Sequence, residues 1–220
     1  MSRLLVILWR KEGITMKVLA INGSPRLQGN TYHALKLACD ELTAQGIETE
    51  ILQIGGKAIH GCIACEQCRN GVCALADDAF NEWCEKLYTA DGVILGSPVY
   101  YSAIAGTMKC FLDRAFYCSR GRMKHKVGAS VAVARRSGAM PTFEQLNNYF
   151  LISEMVIAPS YYWNAAHGGK PGELLQDAEA VSVIQTMARN MAWLLQMKEY
   201  SRDGVPQPEK VKRGWTNFIR

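Results

Sequence analysis

Five short apolar runs recur along the chain, each followed by a stretch with helical spacing. Lys17-Val18-Leu19-Ala20-Ile21 is brief and partly β-branched, the pattern of a buried strand. Asn22-Gly23-Ser24-Pro25 breaks it, and after Asn30-Thr31 the apolar positions Ala34, Leu35, Leu37 and Ala38 return at helical intervals. Ile47 to Leu52 alternates behind Gly46 and predicts a second strand. Residues 79–89 read as a helix capped by Asp77-Asp78. Gly92 to Gly96 is a third strand, running into Ser97-Pro98-Val99-Tyr100-Tyr101, with a helix over 105–117. Ala129 to Ala134 is a fourth strand, followed by the loop Arg135–Ala139 and a helix from Thr142 to Phe150. Met155 to Ala158 is a short fifth strand, and an aromatic, glycine-rich segment 160–172 precedes a helix from Leu174 to Met197. Strand and helix alternate, which predicts an α/β fold built on a doubly wound parallel sheet of five strands.

Ligands of such sheets bind beyond the carboxyl ends of the strands. The first of these loops has the makings of an anion site, because a helix start offers N–H groups without internal partners and a partial positive charge. Ser24, Asn30 and Thr31 can add side-chain donors. Neither G-x-x-x-x-G-K-[ST] nor G-x-G-x-x-G is present. A hydroxyl-rich loop without lysine suits a terminal phosphate monoester such as that of FMN; an ordinary strand–turn–helix with a capping Asn or Ser is the plainer reading. The loops after strands three and four also carry glycine, hydroxyl or aromatic residues, and that coincidence favours the phosphate site.

The chain has 220 residues, 49% of them hydrophobic, enough for one large domain with a substantial core. A net charge of +5, with basic clusters at Arg120–Lys126 and Lys210–Arg213, fits a solvated surface better than nucleic-acid binding. The apolar run within Arg3–Arg10 is too short to span a bilayer and lacks a cleavage site, so no membrane partner is expected. Residues 1–15 read as a peripheral extension before Met16, residues 16–197 as the domain, and 198–220 as a tail. The eight cysteines do not form a secreted framework, which points to a reducing cytoplasm.

Half of those cysteines fall in the segment 55–78, which lacks periodicity and is long for a structureless loop. Cys62, Cys65, Cys68 and Cys73 read C-x2-C-x2-C-x4-C, closer to ferredoxin-type ligation than to the paired zinc pattern. A [4Fe–4S] cluster, free thiols or a redox disulfide, and zinc are the three readings. Cys39, Cys84, Cys110 and Cys118 fall within helices and read as small core residues, as do Trp83 and Trp193. His60 and His167 read as structural or solvated.

Gly23-Ser24-Pro25-Arg26 with Asn30-Thr31, then Ser97-Pro98-Val99-Tyr100-Tyr101 running into Gly106-Thr107-Met108-Lys109 and Leu112-Asp113-Arg114, resemble the NAD(P)H-dependent FMN reductase family. Ala134 to Gly138, Trp163-Asn164, Pro171-Gly172-Glu173 and Arg189 to Ala192 resemble its iron–sulfur flavoprotein branch. The resemblance implies a flavodoxin-like fold with strand order 2-1-3-4-5, bound FMN, and a homodimer or homotetramer with flavin sites near subunit contacts. It places Ser24, Arg26, Asn30 and Thr31 at the FMN phosphate and ribityl chain. Pro98, Val99, Tyr100 and Tyr101 would line the ring, and Arg135, Arg136, Ser137 and Gly138 its pyrimidine edge. The compact cysteine motif of that branch ligates a [4Fe–4S] cluster, here Cys62, Cys65, Cys68 and Cys73.

The implied activity carries electrons from NAD(P)H, or from a ferredoxin-type donor, to a quinone, flavin, nitro compound or metal ion. The chemistry resides on the flavin, so no side-chain acid, base or nucleophile is required. A non-catalytic FMN-binding electron carrier or redox sensor and a zinc- or thiol-stabilised structural protein are the competing functions.

Overall fold

The computed structural model describes residues 15–75, 79–216 and 218–219. All but the last residue of the extension expected at 1–15 lies outside them, as does the Asp77-Asp78 cap. Strand β1 (Lys17–Asn22) is an interior strand of the sheet, and Val18 to Ile21 have no exposed surface. It pairs in parallel with β2 (Glu48–Gln53), Lys17 opposite Glu48, and with β3 (Gly92–Tyr100), Val18 opposite Gly92. Strand β5 (Val127–Ala134) joins the far side of β3. Two-residue β4 (Ala103–Ile104) turns back on the end of β3 as a hairpin. With β4 set aside, the order β2-β1-β3-β5, completed at the far edge by residues 156–157, is the flavodoxin-like order the resemblance implies.

The predicted fifth strand at Met155–Ala158 is shorter than expected, and a further strand forms within the segment 160–172, where none was predicted. Strand β6 (Val156–Ile157) pairs with Val127 and Gly128, and β7 (Ala165–His167) pairs with Ala132 to Ala134, both parallel to β5. After Ala158 donates to the Gly128 carbonyl at 2.8 Å, Pro159 has no N–H to offer and the chain leaves the edge. It rejoins where Asn164 O accepts from Ala132 N at 3.0 Å. In between, the buried Asn164 side chain donates Nδ2 to the Ser130 carbonyl at 3.0 Å, so the missing rung is replaced by an amide.

Both faces of the sheet are covered, as strands buried on two sides require. Val18, Ala20, Ile94, Ala129 and Val131 pack under α1 (Asn30–Ala44) and α5 (Ala178–Tyr200). Leu19, Ile21, Val93 and Leu95, offset by one residue, pack under α2 (Phe80–Thr89), α3 (Gly106–Cys118) and α4 (Ala139–Ile152). Helix α5 starts later than its spacing predicts, after a 3₁₀ turn at Glu173–Gln176, because Asp177 caps it by accepting from Ala180 N at 3.0 Å. Its inner face is filled by Ala188, Met191, Ala192 and Leu195, and Trp193, expected in the core, is 59% exposed on the outer side. Trp83 is half-buried, its ring centroid 6.3 Å from that of Phe111. No described helix is long and apolar enough to cross a membrane.

Candidate functional site

The loop after β1 is fixed by the ends of two neighbouring strands. Asn22 and Gln53 face each other in register. Asn22 Oδ1 accepts from Ser24 N at 3.1 Å, and its Nδ2 donates to Gln53 Oε1 at 2.6 Å. Gln53 Nε2 in turn donates to the carbonyls of Ser24 at 2.7 Å and Gly55 at 2.8 Å. Gly23 N bonds Gly96 O at 2.9 Å on the other side. The fit is close: a methyl group on Gly55 would lie 2.0 Å from Ser24 O, so only glycine is accommodated there.

Helix α1 begins behind this loop with Gly29 as its cap residue and no side-chain cap bond, so the capping Ser or Asn of the plainer reading is not found. Its first-turn N–H groups therefore remain directed at the loop. Ser24 and Thr31 are buried, and Ser24 Oγ accepts from Arg26 N at 3.2 Å. Asn30 spends its side chain elsewhere. Its Nδ2 donates to Lys170 O at 2.8 Å and its Oδ1 accepts from Leu174 N at 3.3 Å, which draws residues 168–174 against the helix start. Arg26 Nη1 reaches Gly169 O at 3.4 Å. The Glu173 carboxylate accepts from Lys170 N and Gly169 N, bonds that hold it below the usual carboxylate range.

The remaining expected residues come from the loops after β3 and β5. Pro98 and Val99 are half-buried, whereas Tyr100 is exposed and Tyr101 stands fully clear. Tyr101 and Ser102, at φ 51° and 57°, form the two-residue turn between β3 and β4. Positive φ at two side-chain-bearing residues is a conformation that costs roughly 1–3 kcal/mol each. Gly138, at φ 86°, lies against this turn: a methyl on it would be 2.8 Å from Ser102 Oγ and 3.0 Å from Val99 Cγ1. One on Gly169 would be 3.5 Å from Arg135 Cγ. Arg135, Arg136 and Ser137 are exposed. The loops after β1, β3, β5 and β7 thus join along the carboxyl edge of the sheet. Arg26, Arg135, Arg136 and Lys170 give that rim a positive bias suited to an anion.

The cysteine loop forms a second site. Cys62, Cys65, Cys68 and Cys73 line one cavity together with Ile63, Leu75, Arg114 and Tyr117. Cys62 is exposed, whereas Cys68 and Cys73 are buried. Among the described residues no three His, Cys, Asp or Glu side chains gather tightly enough to hold a single metal ion. Cys110, half-buried, and Cys118, buried, reach the same loop from α3. Burial pushes the Cys118 thiol up to about 12, and its hydrogen-bond contact with Cys68 adds to the rise. Cys84 is pushed up to about 12, chiefly by burial.

A parallel sheet in this order, with a strand–glycine loop–helix junction at its carboxyl edge, defines a flavodoxin-like protein. A model of the NADPH-dependent FMN reductase family matches residues 16–170. An iron–sulfur flavoprotein of Methanocaldococcus jannaschii is 33% identical, over 83% of this chain and 98% of that one. Among solved structures, RosB with bound 8-demethyl-8-formylriboflavin-5'-phosphate superposes with a TM-score of 0.69 at 16% identity, covering 94% of each chain. An archaeal flavodoxin superposes at 0.55 and 14% identity, covering 82% of this chain and 99% of that one. The chain belongs to the NADPH-dependent FMN reductase family, in its iron–sulfur flavoprotein branch. It is accordingly an FMN-dependent oxidoreductase.

Sequence reasoning missed the residues that hold the loops rather than line them. Asn22 and Gln53 show only as polar residues ending apolar strands, the one signal available. Gly55 is one glycine among 19. Arg114, which the motif quotes without a role, turns out to be the largest fully buried side chain among the described residues.

Proposed function

We propose that the chain transfers electrons from NAD(P)H, or from a ferredoxin-type donor, through FMN to a small acceptor such as a quinone, flavin, nitro compound or metal ion. The observation that carries this reading is the junction of four loops at the carboxyl edge, with the loop after β1 packed so closely on Gly55 that an added methyl would lie 2.0 Å from Ser24 O. Bound FMN supplies the redox chemistry. In this reading the N–H groups of α1, Ser24, Thr31 and Arg26 hold the phosphate, with Asn30 contributing its backbone and bracing the 168–174 loop. Pro98 to Tyr101 wall one side of the ring. Arg135 to Gly138 face its polar edge and fix its orientation.

Cys62, Cys65, Cys68 and Cys73 hold a [4Fe–4S] cluster in the same proposal. The four thiols line one cavity, and their C-x2-C-x2-C-x4-C spacing is closer to ferredoxin-type ligation than to the paired zinc pattern. The proposal includes the cytoplasm as location and a homodimer or homotetramer. An aromatic face at the split sheet edge, with Tyr161, Tyr162 and Trp163 all more than half exposed, supports assembly.

The test is the visible spectrum of anaerobically purified protein, with FMN and iron quantified on one sample and NADPH then added. Stoichiometric flavin, about four irons per chain and rapid flavin bleaching are expected. Flavin without iron removes the cluster from the proposal; no flavin refutes the site. Bleaching only by an electron carrier assigns the donor to the ferredoxin type.

A further inference from the structure

The face of α3 turned to the cysteine loop carries Cys110, Arg114 and Cys118, spaced by four residues and so aligned on one side of the helix. Arg114 is 2% exposed, in the middle of the three. Its Nη1 donates to His60 O at 3.2 Å, and its Nη2 donates to Leu75 O at 3.2 Å and to Cys73 Sγ at 3.5 Å. His60 lies two residues before the first cysteine and Leu75 two after the last. One guanidinium therefore ties both ends of the loop to α3 while touching one of its sulfurs. The Phe80 ring, 3.9 Å from Arg114 Cζ, closes the other side.

Building on the cluster reading above, we infer that Arg114 is a positioning residue that sets the reduction potential of the centre held by Cys62, Cys65, Cys68 and Cys73, acting through Cys73. One-electron reduction, by the flavin or the donor, adds one negative charge to the cluster and its four thiolates. A guanidinium is always charged, and where water is excluded its field is weakly screened. A fixed positive charge bonded to a ligand sulfur therefore favours the more negative, reduced state. Hydrogen bonds to the sulfurs and burial are recognised determinants of cluster potentials. A mere staple would affect folding and iron retention but not the potential.

The experiment is an EPR-monitored redox titration of the iron-loaded protein, comparing wild type with Arg114→Gln and Arg114→Lys. Arg114→Gln is expected to lower the reduced-to-oxidised ratio at the wild-type midpoint about tenfold, equal to ~59 mV for one electron. Arg114→Lys, which keeps the charge, is expected to recover most of that shift. An unchanged midpoint in Arg114→Gln at about four irons per chain overturns the inference and leaves the cluster reading intact. A wild-type chain that takes up no iron overturns both. If Arg114→Gln loses its iron, Arg114→Met, which removes the charge but keeps a long unbranched side chain, is titrated in its place: a midpoint about 59 mV below wild type is expected, and an unchanged midpoint overturns the inference.

Discussion

Replacing Gly55 by alanine should damage FMN binding far more than its size suggests. The added methyl would lie 2.0 Å from Ser24 O, 2.2 Å from Ser24 C and 2.7 Å from Gly23 C, all backbone atoms of the loop proposed to hold the phosphate. Real contacts of this kind keep at least 3.0 Å, so one of the two segments must retreat by about 1 Å. No flexible side chain is available to absorb that movement. Gln53 holds both segments at once, so displacing either also strains its bonds to Ser24 O and Gly55 O. A hydrogen bond to a charged oxygen contributes about 1.5–3 kcal/mol. Losing one of them weakens FMN about 10- to 100-fold, at roughly 1.4 kcal/mol per decade. The assay is a fluorescence-quenching titration of flavin-free protein with FMN. Gly204→Ala, which meets nothing within 4 Å, is the control. Wild-type affinity in Gly55→Ala would refute the assignment of this loop to the phosphate.

Two further outcomes follow from side chains away from the loops. Asn164→Ala removes the amide that serves Ser130 O, leaving a buried carbonyl without its partner. The cost is about 1–3 kcal/mol, or a midpoint fall of roughly 2–10 °C for a chain of this size; an unchanged melt would mean that the sheet edge closes over the gap. Glu50 accepts from Lys86 at 2.7 Å and Lys17 at 2.9 Å, and these two bonds hold its carboxyl below the ordinary glutamate value of 4.5. A carboxylate depressed in the folded state stabilises above its unfolded pKa and loses that contribution as pH falls through the folded value. Glu50→Gln should therefore cost about 0.5–1 kcal/mol at pH 7, with the difference from wild type shrinking below pH 4.5. Denaturant melts at several pH values test this, and a constant gap down to pH 3 or so would contradict it.

The sheet and the three main loops were legible because local pattern governs them. A doubly buried strand must be an apolar run, as Val18 to Ile21 are, and a strand–glycine–hydroxyl–helix order needs no distant information. What escaped depends on partners far along the chain. Asn30 reads as a phosphate donor until Lys170 and Leu174, 140 and 144 residues away, claim its amide. The fifth strand reads as a single unit because nothing in Met155–Ala158 shows that Asn164 will replace a rung. Arg114 defies the rule that arginines stay at the surface, and its bonds go to loop carbonyls that no helical pattern can announce. Trp193 sits amid core residues of α5 in sequence yet outside them in space, because a helix rotates by about 100° per residue.

The divided edge of the sheet also has a bearing on how such a chain can diversify. Ala158 and Asn164 fix the strand on either side of the gap by separate bonds to β5. The register of β7 is therefore not counted from β6, and the segment 159–163 between them can lengthen, shorten or change its aromatic content without shifting a neighbouring strand. New recognition surfaces can be written into that segment while the loops at the carboxyl ends of β1, β3 and β5 keep their spacing. Loop grafting between relatives should be tolerated here before anywhere else in the domain.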